Sequence, residues 1–380
     1  MKSLKHIFIK HTVPTVLVFG VLFLGTYLYF LPKTQAVYTI SSTPDNINIS
    51  ANGGIYAIAV APDGSAYIGG SFTSINGVTR NRIAHINSDG TLDASWDPNL
   101  NNTVYALAMN STDDTVYIGG DFTSVGGLTR NRLAHIFSDG SVNSNFNPNI
   151  GAGVNAPAVL SLALTPDGNT LYVGGGFTTV AGSARNKVVA FNTSDGTVKT
   201  NWLPVPNALV TSIVISNDGN TIYLGGGFTG VSGLPRSRLA SVNTSDGTLT
   251  SWNPNANLRV LSLALSSSGN TLYVGGWFTA IGGIARNYIA EINLSDNGTL
   301  TSWNPIANNY VYTLKTNDNI IYAGGSFTSI GGQTRNRVAA INTSDGLSTD
   351  WNPSLSAVVY SSTIDSVRKR LYLGGDFNIT

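Results

Sequence analysis

The chain has 380 residues, and only 11% of them are charged, well below the roughly 25% of an average soluble domain. Its net charge is +1 and it contains no cysteine, which excludes disulfides, zinc-thiolate sites and thiol nucleophiles. Four of the 21 basic residues precede the first acidic one, so 17 basic residues (21 minus 4) and 20 acidic residues share the rest of the chain. No basic stripe remains for a nucleic-acid backbone, and we expect no nucleic-acid partner.

The first element in chain order is an apolar run at residues 13–32, preceded by three lysines. Its length matches the ~20 residues of a transmembrane helix and exceeds the roughly 7–15 apolar residues of a secretory signal. Because residues 34–36 fit a cleavage site, segment 1–35 is either a signal anchor or a cleaved signal peptide; a buried core helix is a third alternative. The lysines should stay in the cytoplasm. We therefore expect a single-pass cell-membrane protein with its repeats outside the cytoplasm, or a secreted protein.

A sequence motif then recurs along the chain with a period of about 50 residues. It reads aromatic-aliphatic-Gly-Gly-x-Phe-Thr, a glycine-containing loop, Arg-Asn, an apolar run, Asp-Gly and Trp-x-Pro. A fixed period in this range predicts a solenoid, a propeller or an array. The recurring phenylalanines are Phe72, Phe122, Phe177, Phe228, Phe278, Phe327 and Phe377. The recurring arginines are Arg80, Arg130, Arg185, Arg236, Arg286 and Arg335.

Each repeat holds four short apolar runs separated by turn residues, as in residues 104–148. Asp139 and Gly140 form a strong hairpin signal between the third and fourth runs, because both residue types tolerate positive φ. Pro148 ends the fourth run, since proline cannot donate to a β-ladder. Four strands joined by tight turns predict a propeller blade, and the recurring Phe and Trp side chains are expected to fill the seams between blades.

Six repeats are complete over residues 55–353, whereas the seventh, from residue 358, holds only two runs. An open half blade would expose a strand edge. Residues 36–50 can supply the missing third and fourth strands. This predicts an all-β protein, a seven-bladed β-propeller of four-stranded blades over residues 36–380, preceded by a transmembrane or signal helix. The alternative is a chain cut short at its C-terminus.

The pattern Gly-Gly-x-Phe-Thr-x-x-x-Gly-x-x-Arg-Asn-x-x-Ala, followed by Asp-Gly and Trp-x-Pro, resembles the bacterial delta-sixty repeat β-propellers. It is also similar to the propeller of fungal cortical polarity markers. The second repeat carries the pattern over residues 119–148, with Phe146 where tryptophan is expected, and Ser237 replaces the expected asparagine in the fourth repeat. The resemblance covers roughly residues 55–377. It implies a secreted or cell-surface propeller and supplies no catalytic residues.

Two interpretations of the recurring arginines are open. In the first, the arginines form a ring that binds an anion in a channel. In the second, their guanidinium groups hold loops in place through hydrogen bonds to nearby carbonyl and carboxylate oxygens. Their presence in every complete repeat favours the second, since a ligand site on a ring usually breaks its symmetry. The Asp-Gly turns lack the further oxygen ligands of a calcium loop. We expect plain turns there, no metal site and no cofactor.

Four residues that break the symmetry are the candidate binding residues. Trp277 stands where other repeats hold Ser, Asp or Gly, which predicts either a ring packed on a loop or an exposed ring that stacks on a sugar or a protein. His85, His135 and Glu291 share one position in the third run, where variable residues favour a solvent or funnel location. An insertion at residues 151–157 also breaks the symmetry.

These features predict a non-catalytic binding or scaffold propeller on the cell surface, attached to the membrane through its N-terminal helix. Its expected ligand is a surface protein or a glycan. The alternative is a secreted enzyme that acts on a polysaccharide or a small molecule through an axial funnel, with Glu291 as the first acid-base candidate. A purely architectural part of a surface layer is a third alternative.

Overall fold

The computed structural model describes residues 4–9, 49–151 and 159–377, and within these ranges every helix or strand assignment is a β-strand. No helix of the described residues is long and apolar enough to cross a membrane. The predicted helix at residues 13–32 lies outside the described residues, as do most of the 36–50 segment and most of the insertion after residue 151.

The repeats form antiparallel sheets in which the second strand lies between the first and the third. The first strands are Ile55–Val60, Val104–Asn110, Val159–Leu164, Val210–Ile215, Val260–Leu265, Val311–Asn317 and Val359–Asp365. The second strands are Ala66–Gly70, Thr115–Gly120, Thr170–Gly175, Thr221–Gly226, Thr271–Gly276, Ile320–Gly325 and Arg370–Gly375. The third strands are Ile83–Ile86, Leu133–Ile136, Val188–Asn192, Leu239–Asn243, Ile289–Asn293 and Val338–Asn342.

A small hairpin joins the second strand to the third. The hairpin strands are Ser74–Ile75 with Val78–Thr79, Ser124–Val125 with Leu128–Thr129, Thr179–Val180 with Ser183–Ala184, Gly230–Val231 with Leu234–Pro235, Ala280–Ile281 with Ile284–Ala285, and Ser329–Ile330 with Gln333–Thr334. One further short strand, Ile150–Gly151, pairs with the hairpin strand Thr179–Val180. The hairpins lie at the end of the sheets where the first strands begin.

The fourth apolar run of a repeat makes one bridge to the third strand instead of a longer ladder. The bridging residues are Leu92, Val142, Val198, Leu249, Leu300 and Ser348. The motif arginine explains why the ladder stops. Arg130, for example, donates from Nη2 to the carbonyl oxygens of Asn143 and Ser144, directly after the bridge at Val142.

Two N-terminal segments extend the sheet of the last repeat. Leu4–Ile9 pairs antiparallel with the second strand Arg370–Gly375 and also with Ile49–Ala51. Ile49–Ala51 in turn pairs with the hairpin strand Ser74–Ile75 of the first repeat. The third-strand place that the sequence analysis gave to part of residues 36–50 is thus filled by Leu4–Ile9 in this structure.

The hydrophobic cores lie between neighbouring sheets. In one of them, Tyr67 and Trp96 of the first repeat pack with Val104 and Phe122 of the second. The indole Nε1 of Trp96 also donates to the carbonyl oxygen of Phe137 in the second repeat, at 3.3 Å. All seven recurring phenylalanines are fully buried. The large aromatic side chains therefore fill the seams between sheets.

The first and last repeats share a core of the same kind, in which Tyr372 packs with Ile55 and Phe72. The guanidinium group of Arg368 crosses the same seam and donates to the carbonyl oxygen of Pro62 at 3.0 Å. Each first strand packs against the first strands of the repeats before and after it, and the first strand of the first repeat contacts that of the last. The first strands therefore enclose a central axis.

The Gly-Gly pair sets the spacing of each seam and the shape of the first strand. A Cβ atom at Gly225 would stand 2.7 Å from Cγ1 of Val260 in the next repeat, so a larger residue does not fit there without movement. A Cβ atom at Gly226 would collide with the carbonyl oxygen of Leu209. Opposite the pair the first strand carries a β-bulge, which leaves Thr211 without a partner across the ladder. Every first strand has this bulge.

We expect Gly225→Ala to lower the free energy of unfolding by about 1–3 kcal/mol, the usual cost of overpacking a core. Gly227→Ala is the matched control, because the nearest atom to its new Cβ, Nε of Arg259, is 3.5 Å away. Thermal unfolding followed by circular dichroism measures both variants. Equal melting temperatures would contradict a tight seam at Gly225.

We expect Phe122→Ala to cost about 3–5 kcal/mol of stability, as for other buried aromatic truncations. The phenyl ring is fully buried in the seam between the first two repeats. Leu128→Ala is the control, since that side chain is 43% exposed at a hairpin tip. Chemical denaturation measures the difference in stability. If Phe122→Ala is as stable as Leu128→Ala, Phe122 does not contribute to the core as proposed.

Candidate ligand-binding site

The bulged residue of the first strand is where the repeats differ most clearly. Tyrosine occupies it in four repeats that follow one another around the axis, whereas the remaining repeats hold Leu160, Thr211 and Leu261. The tyrosines are Tyr312, Tyr360, Tyr56 and Tyr105. A bulge redirects a side chain out of the alternating pattern of its strand. The four rings therefore project near the axis, at the end where the first strands begin.

The tyrosine rings contact one another from repeat to repeat. The ring centroids of Tyr312 and Tyr360 are 5.6 Å apart. Tyr56 lies 5.3 Å from Tyr360 and 5.7 Å from Tyr105, so the row continues from the last repeat into the first. All four side chains are partly exposed. Their free faces and edges are open to a ligand.

Trp277 extends this row. Its indole lies 5.3 Å from the ring of Tyr310, which lies 6.4 Å from Tyr312 and 5.6 Å from Tyr288. Trp277 is partly exposed and also packs against its neighbour Tyr310. We call this set the aromatic arc; its members are Trp277, Tyr288, Tyr310, Tyr312, Tyr360, Tyr56 and Tyr105.

Two carboxylates stand beside the aromatic arc, both at the position that follows Gly-Gly. The hydroxyl of Tyr360 donates to Oδ2 of Asp376 at 2.9 Å, and burial together with this bond raises the pKa of Tyr360. Burial and the charge of Asp121 likewise raise the pKa of Tyr105. Near neutral pH both phenols are therefore protonated donors, and the carboxylates are acceptors.

Two arginines stand near the other end of the aromatic arc. The guanidinium carbon of Arg259 lies 4.8 Å from the ring centroid of Trp277, within cation–π distance. Arg238 donates from Nη1 to the carbonyl oxygen of Gly227 at 3.0 Å. Burial and the charge of Arg238 lower the pKa of Arg259. Neither arginine forms an ion pair with any described residue, so each places a positive charge beside the arc.

His135 lies on a third strand, whereas the four bulge tyrosines of the aromatic arc lie on first strands. The residue is only 5% exposed, and its ring stacks on Tyr117 at 4.2 Å and places Nε2 at 2.6 Å from the hydroxyl of Thr115. The expectation of a solvent or funnel location is therefore wrong for His135, because the seam covers this position. Burial lowers the pKa of His135 to about 4, so the ring is neutral near pH 7.

His85 and Glu291 occupy the equivalent position in other repeats. His85 is partly exposed and holds Nδ1 at 3.0 Å from the Asp93 carboxylate. Glu291 accepts hydrogen bonds from Thr271 at 3.0 Å and from Thr301 at 2.7 Å, one on each carboxylate oxygen. Among the described residues, no group of three His, Asp or Glu side chains is arranged to hold a metal ion.

The recurring arginines connect the hairpin to the fourth run of their own repeat. Arg335, for example, donates from Nη1 to the Thr334 carbonyl at 2.8 Å and from Nη2 to the Thr349 carbonyl at 2.6 Å. The Asp-Gly turns are likewise closed locally, as when Oδ1 of Asp139 accepts the backbone N–H of Ser141 at 2.8 Å. The recurring arginines and the aspartates of the Asp-Gly turns therefore make their hydrogen bonds within their own repeats.

Sequence reasoning found Trp277 but missed the tyrosines of the aromatic arc. Aligning the repeats on Gly-Gly would have shown Tyr56 and Tyr105 at a position where Leu160 and Thr211 also occur. The alignment alone does not show that these rings touch, because the contact depends on the bulge and on the closure of the last repeat against the first.

Comparison with known families finds a similarity to one described as a domain of unknown function (DUF5122) beta-propeller. The matched stretches are residues 61–95, 112–146, 165–200, 270–300 and 316–346. No curated protein matches the chain. The match confirms that the repeats are β-propeller repeats, as the sequence predicted.

We expect His135→Ala to remove part of the acid sensitivity of the fold. The folded-state pKa of about 4 lies below the ordinary value of 6.5, so the unfolded chain binds the proton first. Protonation of His135 therefore does not lower the free energy of unfolding above pH 6.5. Below that pH the free energy of unfolding falls as the pH drops towards 4, and the loss is about 2 kcal/mol at pH 5. Alanine is a fitting replacement, because Ala190 and Ala340 stand at the same position.

Unfolding free energies at neutral pH and near pH 5 test this expectation. The wild-type protein should lose more stability between the two conditions than His135→Ala does. An identical pH dependence in both proteins would show that His135 does not titrate on unfolding.

Proposed function

We propose that the chain is a non-catalytic binding protein, a ring of seven four-stranded propeller blades that binds a glycan at the aromatic arc. The cyclic packing of the first strands supports the blade count. The bridge made by each fourth run supports a fourth, much shortened strand. The resemblance of the motif to the delta-sixty repeat propellers and to the propeller of fungal cortical polarity markers supports the same architecture.

The observation that carries the proposal is the unbroken row of rings from Trp277 to Tyr105. A purely architectural ring does not need this asymmetry, because Leu160 and Leu261 fill the same bulge in other repeats. Tyrosine and tryptophan offer a large, rigid contact area at a low cost in side-chain entropy. A surface built from them on one side of a ring is suited to binding.

A sugar fits the chemistry of the aromatic arc. One face of a pyranose ring is apolar enough to stack on an aromatic side chain, while its hydroxyl groups require donors and acceptors. The arc supplies ring faces and phenol groups, Asp121 and Asp376 supply acceptors, and Arg259 supplies a donor. Aromatic walls with a few placed polar groups are typical of small-ligand sites.

The hydrogen bonds made by the Glu291 carboxylate support a non-catalytic role for the protein. It is the one glutamate of the chain, and threonine hydroxyls occupy both of its carboxylate oxygens. Most glycosidases instead use a pair of carboxyl groups free to act as acid, base or nucleophile, whereas Asp376, one of the two carboxylates beside the aromatic arc, accepts a hydrogen bond from Tyr360.

We further propose that the propeller lies outside the cytoplasm, with residues 1–35 as a signal anchor or a cleaved signal peptide. The apolar run at residues 13–32 and the lysines before it support this. Membrane insertion would withdraw Leu4–Ile9 from the edge of the last sheet. Residues 37–40 are the strand expected to replace it, so that the propeller covers residues 36–380.

Glycan-array screening of the full chain, followed by calorimetric titration of the best-bound glycan, tests the binding proposal. Tyr56→Leu and Tyr360→Leu introduce the residue that other repeats already hold at the bulge, so the fold should be retained. We expect each variant to bind about tenfold more weakly, a loss of about 1.4 kcal/mol.

Phe137→Leu is the control, because it removes a ring that is 38% exposed and does not belong to the aromatic arc. It should bind like the wild-type protein. The proposal is overturned if no glycan binds, or if both tyrosine variants bind as tightly as Phe137→Leu. Capture of a protein partner that is insensitive to the tyrosine variants would instead favour the surface-protein alternative.

A further inference from the structure

Gly227 leaves a gap beside the aromatic arc, at the position that follows the Gly-Gly pair of the fourth repeat. The side chains that other repeats hold at this position are those of Ser71, Asp121, Trp277, Ser326 and Asp376. A Cβ atom at Gly227 would meet no atom closer than 3.5 Å, so the packing has room for a side chain. The fourth repeat therefore lacks a side chain that its surroundings would accommodate.

Two arginines from neighbouring repeats converge on this gap. Arg259 precedes the first strand of the fifth repeat, and its Nε and Nη2 atoms lie 3.5 and 3.9 Å from the place that a Cβ atom of Gly227 would take. Arg238 precedes the third strand of the fourth repeat and donates from Nη1 to the carbonyl oxygens of Gly227 at 3.0 Å and Phe228 at 2.9 Å. Both arginines are partly buried. The seam between the two repeats thus brings two positive charges to one glycine.

The guanidinium group of Arg259 is held in place, yet it makes no hydrogen bond to any described residue. The indole of Trp277 lies against it, with 4.8 Å between the guanidinium carbon and the ring centroid. The cations that precede the third strands behave differently, because they donate to backbone carbonyl oxygens. These cations are Arg82, Arg132, Lys187, Arg238 and Arg337. Arg259 alone in this group of six thus presents its whole planar fork of donors to a ligand.

No carboxylate of the described residues compensates these two charges. Burial lowers the pKa of Arg259, and the charge of Arg238 lowers it further, so the two guanidinium groups repel each other. The same position carries an aspartate, Asp121 or Asp376, in two other repeats, so an acidic group fits there. A carboxylate placed over Gly227 would relieve the repulsion and accept hydrogen bonds from Arg259.

We propose that Arg259 and Arg238 bind the carboxylate of an acidic sugar whose ring stacks on Tyr310 of the aromatic arc. Trp277 connects the two parts of this site, because its indole lies against Arg259 and 5.3 Å from the ring of Tyr310. The carboxylate accepts two parallel hydrogen bonds from Arg259 above Gly227. The sugar part of this inference rests on the proposed function, whereas the anion site rests on the two arginines.

Calorimetric titration of the full chain with methyl glucuronide, methyl glucoside and acetate tests the inference. The two sugars differ only at C6, which carries a carboxylate in the first and a hydroxymethyl group in the second. The wild-type protein should bind the glucuronide at least tenfold more tightly than the glucoside, and should also bind acetate weakly. Gly227→Asp places a carboxylate between the arginines, and should lose both the preference for glucuronide and the binding of acetate. Gly227→Asn has the same shape without the charge, and should keep both.

Arg259→Leu tests the arginine itself, and it introduces the residue that the fourth repeat holds at the same position, Leu209. The fold should be retained, with the preference for glucuronide lost and binding of the glucoside unchanged. Lys199→Thr is the control, since it also removes one positive charge and should bind like the wild-type protein. Other repeats already hold threonine at its position, as Thr250, Thr301 and Thr349.

The outcomes separate the two proposals. Binding of both sugars with equal affinity, or equal effects of Gly227→Asp and Gly227→Asn, overturns the arginine site and leaves the aromatic arc as a glycan site. Acetate binding that Gly227→Asp and Arg259→Leu both abolish, without binding of any sugar, supports the anion site and overturns the proposed function. The absence of any binding overturns both.

Discussion

Contact between the faces of neighbouring sheets is the interaction on which the rest of the structure depends. A repeat cannot cover its own second-strand tyrosine and tryptophan; the phenylalanine and valine of the next repeat cover them. Since the last repeat packs against the first through Tyr372 and Ile55, no sheet is left with an uncovered face at that seam. Repeats that share cores in this way form one cooperative unit, and this fold contains no cysteine and so no disulfide bond.

The same glycine pair connects this packing to the candidate site. One glycine lets the next repeat approach, as Gly225 does for Val260, and its neighbour Gly226 makes room for the bulged first strand. The bulged residue is not needed in the seam, so its identity can vary without loss of the fold. Tyrosine at four successive bulges converts a structural irregularity into a continuous aromatic surface.

The sequence was sufficient to predict the repeat, three strands of each sheet and the buried phenylalanines, because strict spacing and apolar periodicity encode them. It predicted a fourth strand where the structure has one bridge, since the side chain of Arg130 takes the carbonyl groups that a ladder would use. His135 was misplaced because a variable residue looks exposed in sequence, whereas Thr115 and Tyr117 accommodate its ring inside a seam.

The contact between the first and last repeats is the central claim, because it creates both the closed ring and the Tyr360–Tyr56 step of the aromatic arc. The chain contains no cysteine, so spin labels at Asp63→Cys and Val367→Cys would be the only ones present. These sites adjoin the Pro62–Arg368 hydrogen bond. Pulsed electron paramagnetic resonance should give a single short, narrow distance distribution. A broad distribution at long distances would show an open array and contradict the account.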